Sequence, residues 1–352
     1  MDISRRGLLV GSGLGVLGAV GGLTMGVEPS ASAATVRAPF RLQSRAATVA
    51  KFAGQRPSYW GFYAPGVHST FSTATAAGKD AIALAFDACG GTVTYYDAAL
   101  IATLRKYQAP ATLFINRAWA TNNQATFKEL LADPLFEIES HGWAHIPLSV
   151  TGRSAYGIRG TSNVAGVWEE VAADYWWMGY NFNHATRFMR VGTCFTDDVS
   201  ARAATWMGQE LVSFAVNGDA GATFPADVVY SQVMTSQPGD ILISHMNRPG
   251  SGTNPGYQRA IPALKAKGFT FRQLNQVMGA TTATTQPAGW ATISQGSHGS
   301  EVAQVQRVVH VTADGNFGPL TKAAVVRYQS AHHLAPDGIV GPLTATAMGL
   351  TT

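Results

Sequence analysis

The chain has 352 residues, 46% of them hydrophobic and 13% charged, which is long for one domain and predicts a large core beside a smaller one. Its formal net charge of +4 is spread thinly, with no basic run over most of its length, so nucleic acid is excluded as an expected partner. There are two cysteines, Cys89 and Cys194, and nothing in the sequence alone forces them together.

Residues 1–33 read as an export signal. Ser4-Arg5-Arg6-Gly7-Leu8-Leu9-Val10 is a twin-arginine pattern, an apolar run follows to Val27, and Ala31-Ser32-Ala33 is a small-residue cleavage site. The mature protein is expected outside the cytoplasm, secreted or on the cell wall, with no membrane attachment after cleavage. Residues 34–80 read as an N-terminal extension packed on the main domain. Within it, Tyr59-Trp60-Gly61-Phe62-Tyr63 is either a plug on the core or a sugar-stacking wall, and the plug is favoured.

From Ile82 apolar strands alternate with amphipathic helices. Strands are predicted at 82–87, 111–116, 136–140, 187–191, 211–216, 240–245 and 269–271. Helices are predicted at 97–107, 124–132, 164–178, 199–207, 226–236, 257–267 and 272–278. Seven strand–helix units predict an α/β fold, a distorted (β/α)7 barrel spanning 81–279. An Ala/Thr-rich linker, 280–289, leads to a small three-helix unit at 290–352, in which an Asp-Gly loop ending Gly-Pro occurs twice (314–319 and 337–342). His298, His310, His332 and His333 are scattered over this unit and read as surface residues.

Chemistry-bearing residues fall where the strands end. Asp87 ends the first, His141 follows the third, Arg190 ends the fourth, Asp219 follows the fifth and His245 ends the sixth. In a βα barrel those ends open on one face, so the five converge on a candidate active site. His141 and His145 stand four apart. On one helical turn they would face the same way and grip one divalent metal ion; the alternative is an ordinary pair capping a turn. It is not a zinc-protease motif, because Gly142 stands where that motif carries its glutamate.

In their order these stretches resemble the motifs of the polysaccharide deacetylases, carbohydrate esterase family 4. Ala85-Phe86-Asp87-Ala88-Cys89-Gly90-Gly91 stands for the first motif and His141-Gly142-Trp143-Ala144-His145 for the second. Arg190-Val191-Gly192-Thr193-Cys194-Phe195 stands for the third, Asn217-Gly218-Asp219 for the fourth and Ile241-Leu242-Ile243-Ser244-His245 for the fifth. The resemblance implies a metal-assisted hydrolase that removes N-acetyl groups from a polysaccharide such as peptidoglycan or a chitin-like polymer. It implies a divalent metal, expected to be zinc, on His141, His145 and Asp87. Asp87 would be the base, Arg190 its orienter, and His245 the acid tuned by Asp219. An O-acetyl esterase on xylan-type polymers and an inactive wall-binding relative are the alternatives.

The second Asp of the first motif, a metal ligand in the family, is Ala88 here. Asp87 itself, a substitute such as Asp97, Asp197 or Asp198, or a weak or absent metal site are the open outcomes. The two cysteines fall in the first and third motifs, and a Cys89–Cys194 disulfide is expected, with a free thiol and a thiolate ligand as rivals. Residues 290–352 resemble a peptidoglycan-binding domain, which implies a wall-polymer partner. The protein is expected to be a monomer.

Overall fold

The computed structural model describes residues 42–90, 95–279, 293–332 and 338–350. The expected export segment, the linker at 280–289 and His333 lie outside the described residues. Helix α1 (Arg45–Phe52) comes first, then the short strands β1 (Trp60–Gly61) and β2 (Val67–His68). The alternation begins with β3 (Ala81–Ile82), β4 (Leu84–Ala88), α2 (Ala98–Lys106), β5 (Ala111–Ile115), α3 (Arg117–Asn122), α4 (Gln124–Ala132) and β6 (Phe136–Ser140). A hairpin of β7 (Ser154–Ala155) and β8 (Ile158–Arg159) precedes the long helix α5 (Val164–Phe182). There follow β9 (Phe188–Met189), β10 (Thr196–Asp197), α6 (Asp198–Met207), β11 (Glu210–Val212), β12 (Val216–Asn217) and α7 (Ala226–Val233). The unit ends with β13 (Leu242–His245), α8 (Thr253–Ala266), β14 (Thr270–Phe271) and α9 (Leu274–Val277).

Eight strands form one curled parallel sheet in the order β12-β13-β4-β5-β6-β9-β11-β2. The expected distorted (β/α)7 barrel is what forms. Its distortions have visible causes. The stretch 210–217 pairs with β9 at its start and with β13 at its end, so one piece of chain links the two ends of the curl. The seventh strand, β14, pairs only with β3, at the foot of the first strand. The extension enters the sheet itself: β2 pairs with β11, Thr70 bridges Asp240, and the Ile241 amide donates to the Ser69 carbonyl at 3.2 Å. Helix α1, not expected from the sequence, packs on α5 and α6 and starts at Ser44, whose hydroxyl accepts from the Ala47 amide.

Successive strand residues face opposite sides, and here the two sides have different tasks. Ile82, Leu84, Phe86 and Ala88 pack outward in the apolar layer beneath the helices, with Leu113, Ile115 and Ile138. Ala81, Ala83 and Ala85 face inward with Phe114, Phe188 and Ile241. Strand β6 is less apolar than its neighbours suggest, for Glu137 and Glu139 alternate with the outward Phe136 and Ile138 and are both buried. Their carboxylates are occupied by Thr112, by the Asn275 amide and by the Arg187 and Phe188 amides.

The C-terminal unit has α10 (Ser300–Val308), α11 (Pro319–Ala331) and α12 (Pro342–Ala347) around a core of Val302, Val305, Phe317, Val325 and Val340. Its sequence repeat is a repeated clamp. The Gln306 amide donates to Thr321 Oγ1 at 3.0 Å and accepts from the Gly315 amide at 2.9 Å. Gln329 does the same to Thr344 at 3.2 Å and Gly338 at 2.8 Å, with identical spacings of 15 and 9 residues. Both loop glycines have φ of +73°. Gly341, just before α12, lies against the Tyr180 ring of α5. A cavity of about 330 Å³ opens there, with Trp143, Trp176, Gln329 and Thr344 in its walls.

Gln306→Ala is expected to strand the Gly315 amide and cost about 1–3 kcal/mol in the small unit alone, which calorimetry resolves as a lowered transition for that unit. Asp174 on α5 is fully buried, and burial pushes its carboxyl up to about 7, against a bond from Ser140. A folded pKa above the unfolded one means stability is lost as pH rises through the window from about 4 to about 7. Asp174→Asn is expected to flatten that part of the pH–stability curve, read by denaturant unfolding from about pH 4 to about pH 8.

Candidate active site

The inward parity of the strands selects the site. Asp87, Arg190 and His245 share the inward faces of β4, of the chain just after β9 and of β13, each beyond an inward apolar residue. His245 and Asp87 are register partners on adjacent strands. The Asp87 carboxylate is buried, with Oδ1 accepting from Arg190 Nη1 at 2.8 Å and Oδ2 lying 3.7 Å from His141 Nε2. Arg190 is fully buried over the Phe114 ring and also donates to the Ser213 and Leu242 carbonyls at 2.8 and 3.2 Å. Burial pushes the Asp87 carboxyl up, but Arg190, His141 and His245 outweigh it and hold it below the ordinary carboxylate value.

His141 and His145 meet with ring centroids 4.8 Å apart, nearly perpendicular. They meet on a loop, which corrects the expected helical turn. Gly142 has φ of +78° and His145 +60°, and neither belongs to a helix. Glu170 of α5 holds this loop by accepting from the Ala144 amide at 2.9 Å and the His145 amide at 3.1 Å. Burial pushes the Glu170 carboxyl up to about 8 despite those bonds. Asn116, at the start of α3, donates to the Gly142 carbonyl from the other side. On the third flank stands Gly192, where a Cβ would come within 2.6 Å of His145 Cα and Cγ.

Nδ1 of His141 bonds the Arg190 carbonyl at 2.9 Å, so it carries the proton and Nε2 is left as a lone pair facing Asp87. Burial lowers the pKa of His141, and takes His145 down to about 3, with His141 adding to the effect. Neutral imidazoles are the form that binds metal. Cys89 Sγ and ring nitrogens of the two histidines lie within 4.8 Å of one another. A sulfur and two imidazoles fit a divalent ion of zinc's class.

His245 is gripped twice by Asp219: its amide donates to Oδ2 at 2.7 Å and its Nδ1 to Oδ1 at 2.9 Å. Thr253 holds the same carboxylate at 2.9 Å. Burial disfavours the charged ring, but the bond and charge of Asp219 prevail and the His245 pKa lies above the ordinary value.

The residues named from the sequence therefore come together: Asp87, His141, His145, Arg190, Asp219 and His245. The three substitute carboxylates are engaged elsewhere. Asp97 and Asp197 cap helices at the Leu100 and Ser200 amides, and Asp198 holds the Ser58 and Tyr59 amides. The expected Cys89–Cys194 disulfide is absent, both thiols being free. Cys194 is buried with Phe214 and Ile243, and burial pushes it up to about 12; Cys89 turns instead toward the histidines and Asn247. Phe62 packs on Phe195 and Phe214 at centroid distances of 4.5 and 5.3 Å, as a plug would, while Tyr63 beside it stays half exposed. Glu170 and Asn116 were not foreseen. The available signal was Glu170 with Asp174, two acids four apart among Val167, Trp168 and Val171.

A family model described as polysaccharide deacetylase matches residues 74–212, and one described as putative peptidoglycan binding domain matches residues 299–348. The first takes in Asp87, His141, His145 and Arg190; Asp219 and His245 lie beyond it. Among solved structures, a carbohydrate esterase family 4 pseudoenzyme from Bacillus anthracis is 18% identical at a TM-score of 0.47, covering 57% of this chain and 66% of its own. A peptidoglycan N-acetylglucosamine deacetylase, bound to a hydroxamate, is 18% identical at 0.48, covering 59% and 90%. A family 4 acetyl xylan esterase from Clostridium thermocellum is 18% identical at 0.46, covering 56% and 89%. No curated protein matches the chain. Residues 74–212, which hold most of this site, are thus a polysaccharide deacetylase domain, and residues 299–348 are a peptidoglycan-binding domain behind it.

Proposed function

We propose that this chain is an exported hydrolase that removes N-acetyl groups from a cell-wall polysaccharide, with peptidoglycan the favoured polymer. The observation that carries it is the buried Asp87 held between Arg190 and His141, with the His245–Asp219 pair on the adjacent strand. That places a proton acceptor and a proton donor on neighbouring strands. His141 and His145 would hold a divalent ion, which when bound would supply Lewis acidity toward the acetyl carbonyl and lower the pKa of a water. Asp87 stays ionised through the neutral range, and its Oδ2, the oxygen not held by Arg190, takes the proton from the attacking water. His245, whose hold on its proton Asp219 strengthens, delivers a proton to the departing sugar amine. Acetate and a free amine on the polymer are the products.

The exported setting is supported by Arg5-Arg6, the apolar run and Ala31-Ser32-Ala33. The peptidoglycan-binding domain would hold the enzyme on polymer and raise the local substrate concentration. Ala88 favours a second reading, an inactive wall-binding relative. Against it, Asp87, both histidines, Arg190, Asp219 and His245 are all retained, and Ala88 itself packs in the outer apolar layer.

Acetate release from N-acetylglucosamine oligomers and from acetylated xylan, with and without a chelator, tests the proposal. Chelator-sensitive release from the first supports it; release only from the second makes the protein an O-acetyl esterase; no release from either leaves the inactive reading. His245→Ala is expected to lower kcat about 100- to 10,000-fold. The rate should fall as pH rises through the raised His245 pKa, and Asp219→Asn should move that limb to lower pH in a kcat–pH profile. Gly192→Ala pushes on His145, and a displacement on the order of 1 Å costs about 100-fold in rate, measurable against wild type at saturating metal.

A further inference from the structure

We propose that Cys89 is the third protein ligand of the metal, so that the site is a thiolate with two imidazoles; the inference rests on the metal-dependent reading of the site above. The geometry starts from strand parity. Along β4 residue 87 faces inward and 88 outward, and Cys89, the first residue past the strand's end, brings its thiol to the two histidines. Ala88 is fully buried in the outer layer with Ile115, its register partner. Asp87 is directed at the site, and so is the thiol two residues on.

Three observations place the sulfur. Its atom and a nitrogen from each histidine lie within 4.8 Å of one another, a spread that one ion with donor distances of about 2.0–2.3 Å can draw together. Asn247 donates to the Cys89 carbonyl and stands 3.5 Å from Sγ, fixing the residue from behind. Asp87 is committed through Oδ1 to Arg190, and its free oxygen is needed as a base. A carboxylate serving as ligand and base at once would be a poorer base, and Cys89 relieves Asp87 of the first task.

The exchange preserves charge. A thiolate carries the same single negative charge as a carboxylate, so two neutral imidazoles and one anion still face the ion. Binding forms a metal–sulfur bond, and the thiol proton leaves to solvent. The ion chosen changes, however. Sulfur favours zinc and cobalt over magnesium, calcium or manganese. A fourth position stays open for water and the substrate carbonyl, as in other three-ligand catalytic sites.

The test uses the full-length mature chain, stripped of metal and titrated with cobalt(II). The expected result is one cobalt per chain with an intense near-ultraviolet sulfur-to-cobalt charge-transfer band. That band should vanish in Cys89→Ser and persist in Cys194→Ser. Zinc competition should show Cys89→Ser weakened by more than the roughly 10- to 100-fold that loss of an outer-shell partner costs. Cys89→Asp should bind cobalt without the band, which shows that the variant still folds and that the band reports sulfur. Stoichiometric cobalt that needs His141 and His145 but shows no band in wild type overturns the cysteine ligand and leaves the metal-dependent hydrolase standing. No cobalt bound at all overturns both.

Discussion

The pairing of Asp87 with Arg190 is the interaction on which the rest depends. Both groups are out of water, where a lone charge is very costly and removal of either partner costs about 3–5 kcal/mol. The barrel tolerates the pair because Arg190 also spends donors on the carbonyls of Ser213 and Leu242 and lies on the Phe114 ring. Its backbone carbonyl, in turn, sets the tautomer of His141. One side chain and its own peptide thus fix the Asp87 carboxylate and the His141 ring and tie together β4, β13 and the chain just past β11.

Around that pair the protein relies on buried carboxylates to organise backbone. Glu170 gathers the amides of the histidine loop, Glu139 those of Arg187 and Phe188, and Asp219 that of His245. A loop with left-handed residues at Gly142 and His145 cannot supply its own hydrogen bonds, so side chains from α5 and α3 do so. The close approach of the two imidazoles is met by those bonds and by the lack of a side chain on Gly192, against whose bare backbone His145 packs. The same economy appears in the small domain, where one glutamine per repeat closes one loop.

Much of this was legible in the sequence because period-two apolar strands are short-range signals. The strands at 82–87, 111–116 and 136–140 and the polar residues at their ends emerge within a residue or two. What escaped depends on contacts between remote segments. A His-x-x-x-His spacing is equally compatible with a helical turn, and only Glu170 and Asn116, 25 or more residues away, decide for a loop. The disulfide expectation assumed that cysteines in facing motifs point at each other. Cys89, the first residue past the end of β4, brings its thiol to the histidines, while Cys194 turns into an apolar nest with Phe214 and Ile243. Even Ala88, which read as a lost ligand, is an outward-facing core residue.

The strand at Val67–His68 has a further consequence for how such a chain matures. The Val67 amide donates locally to the Ala64 carbonyl, but the strand's pairing partners are Leu211–Val212, and the residues after it bond to Asp240 and Ile241. During synthesis this early segment cannot complete its pairing until the fifth and sixth strands have emerged. Its insertion is therefore a late event that reports a finished barrel, and a chain cut short before residue 240 would carry an open β-edge near its leading end.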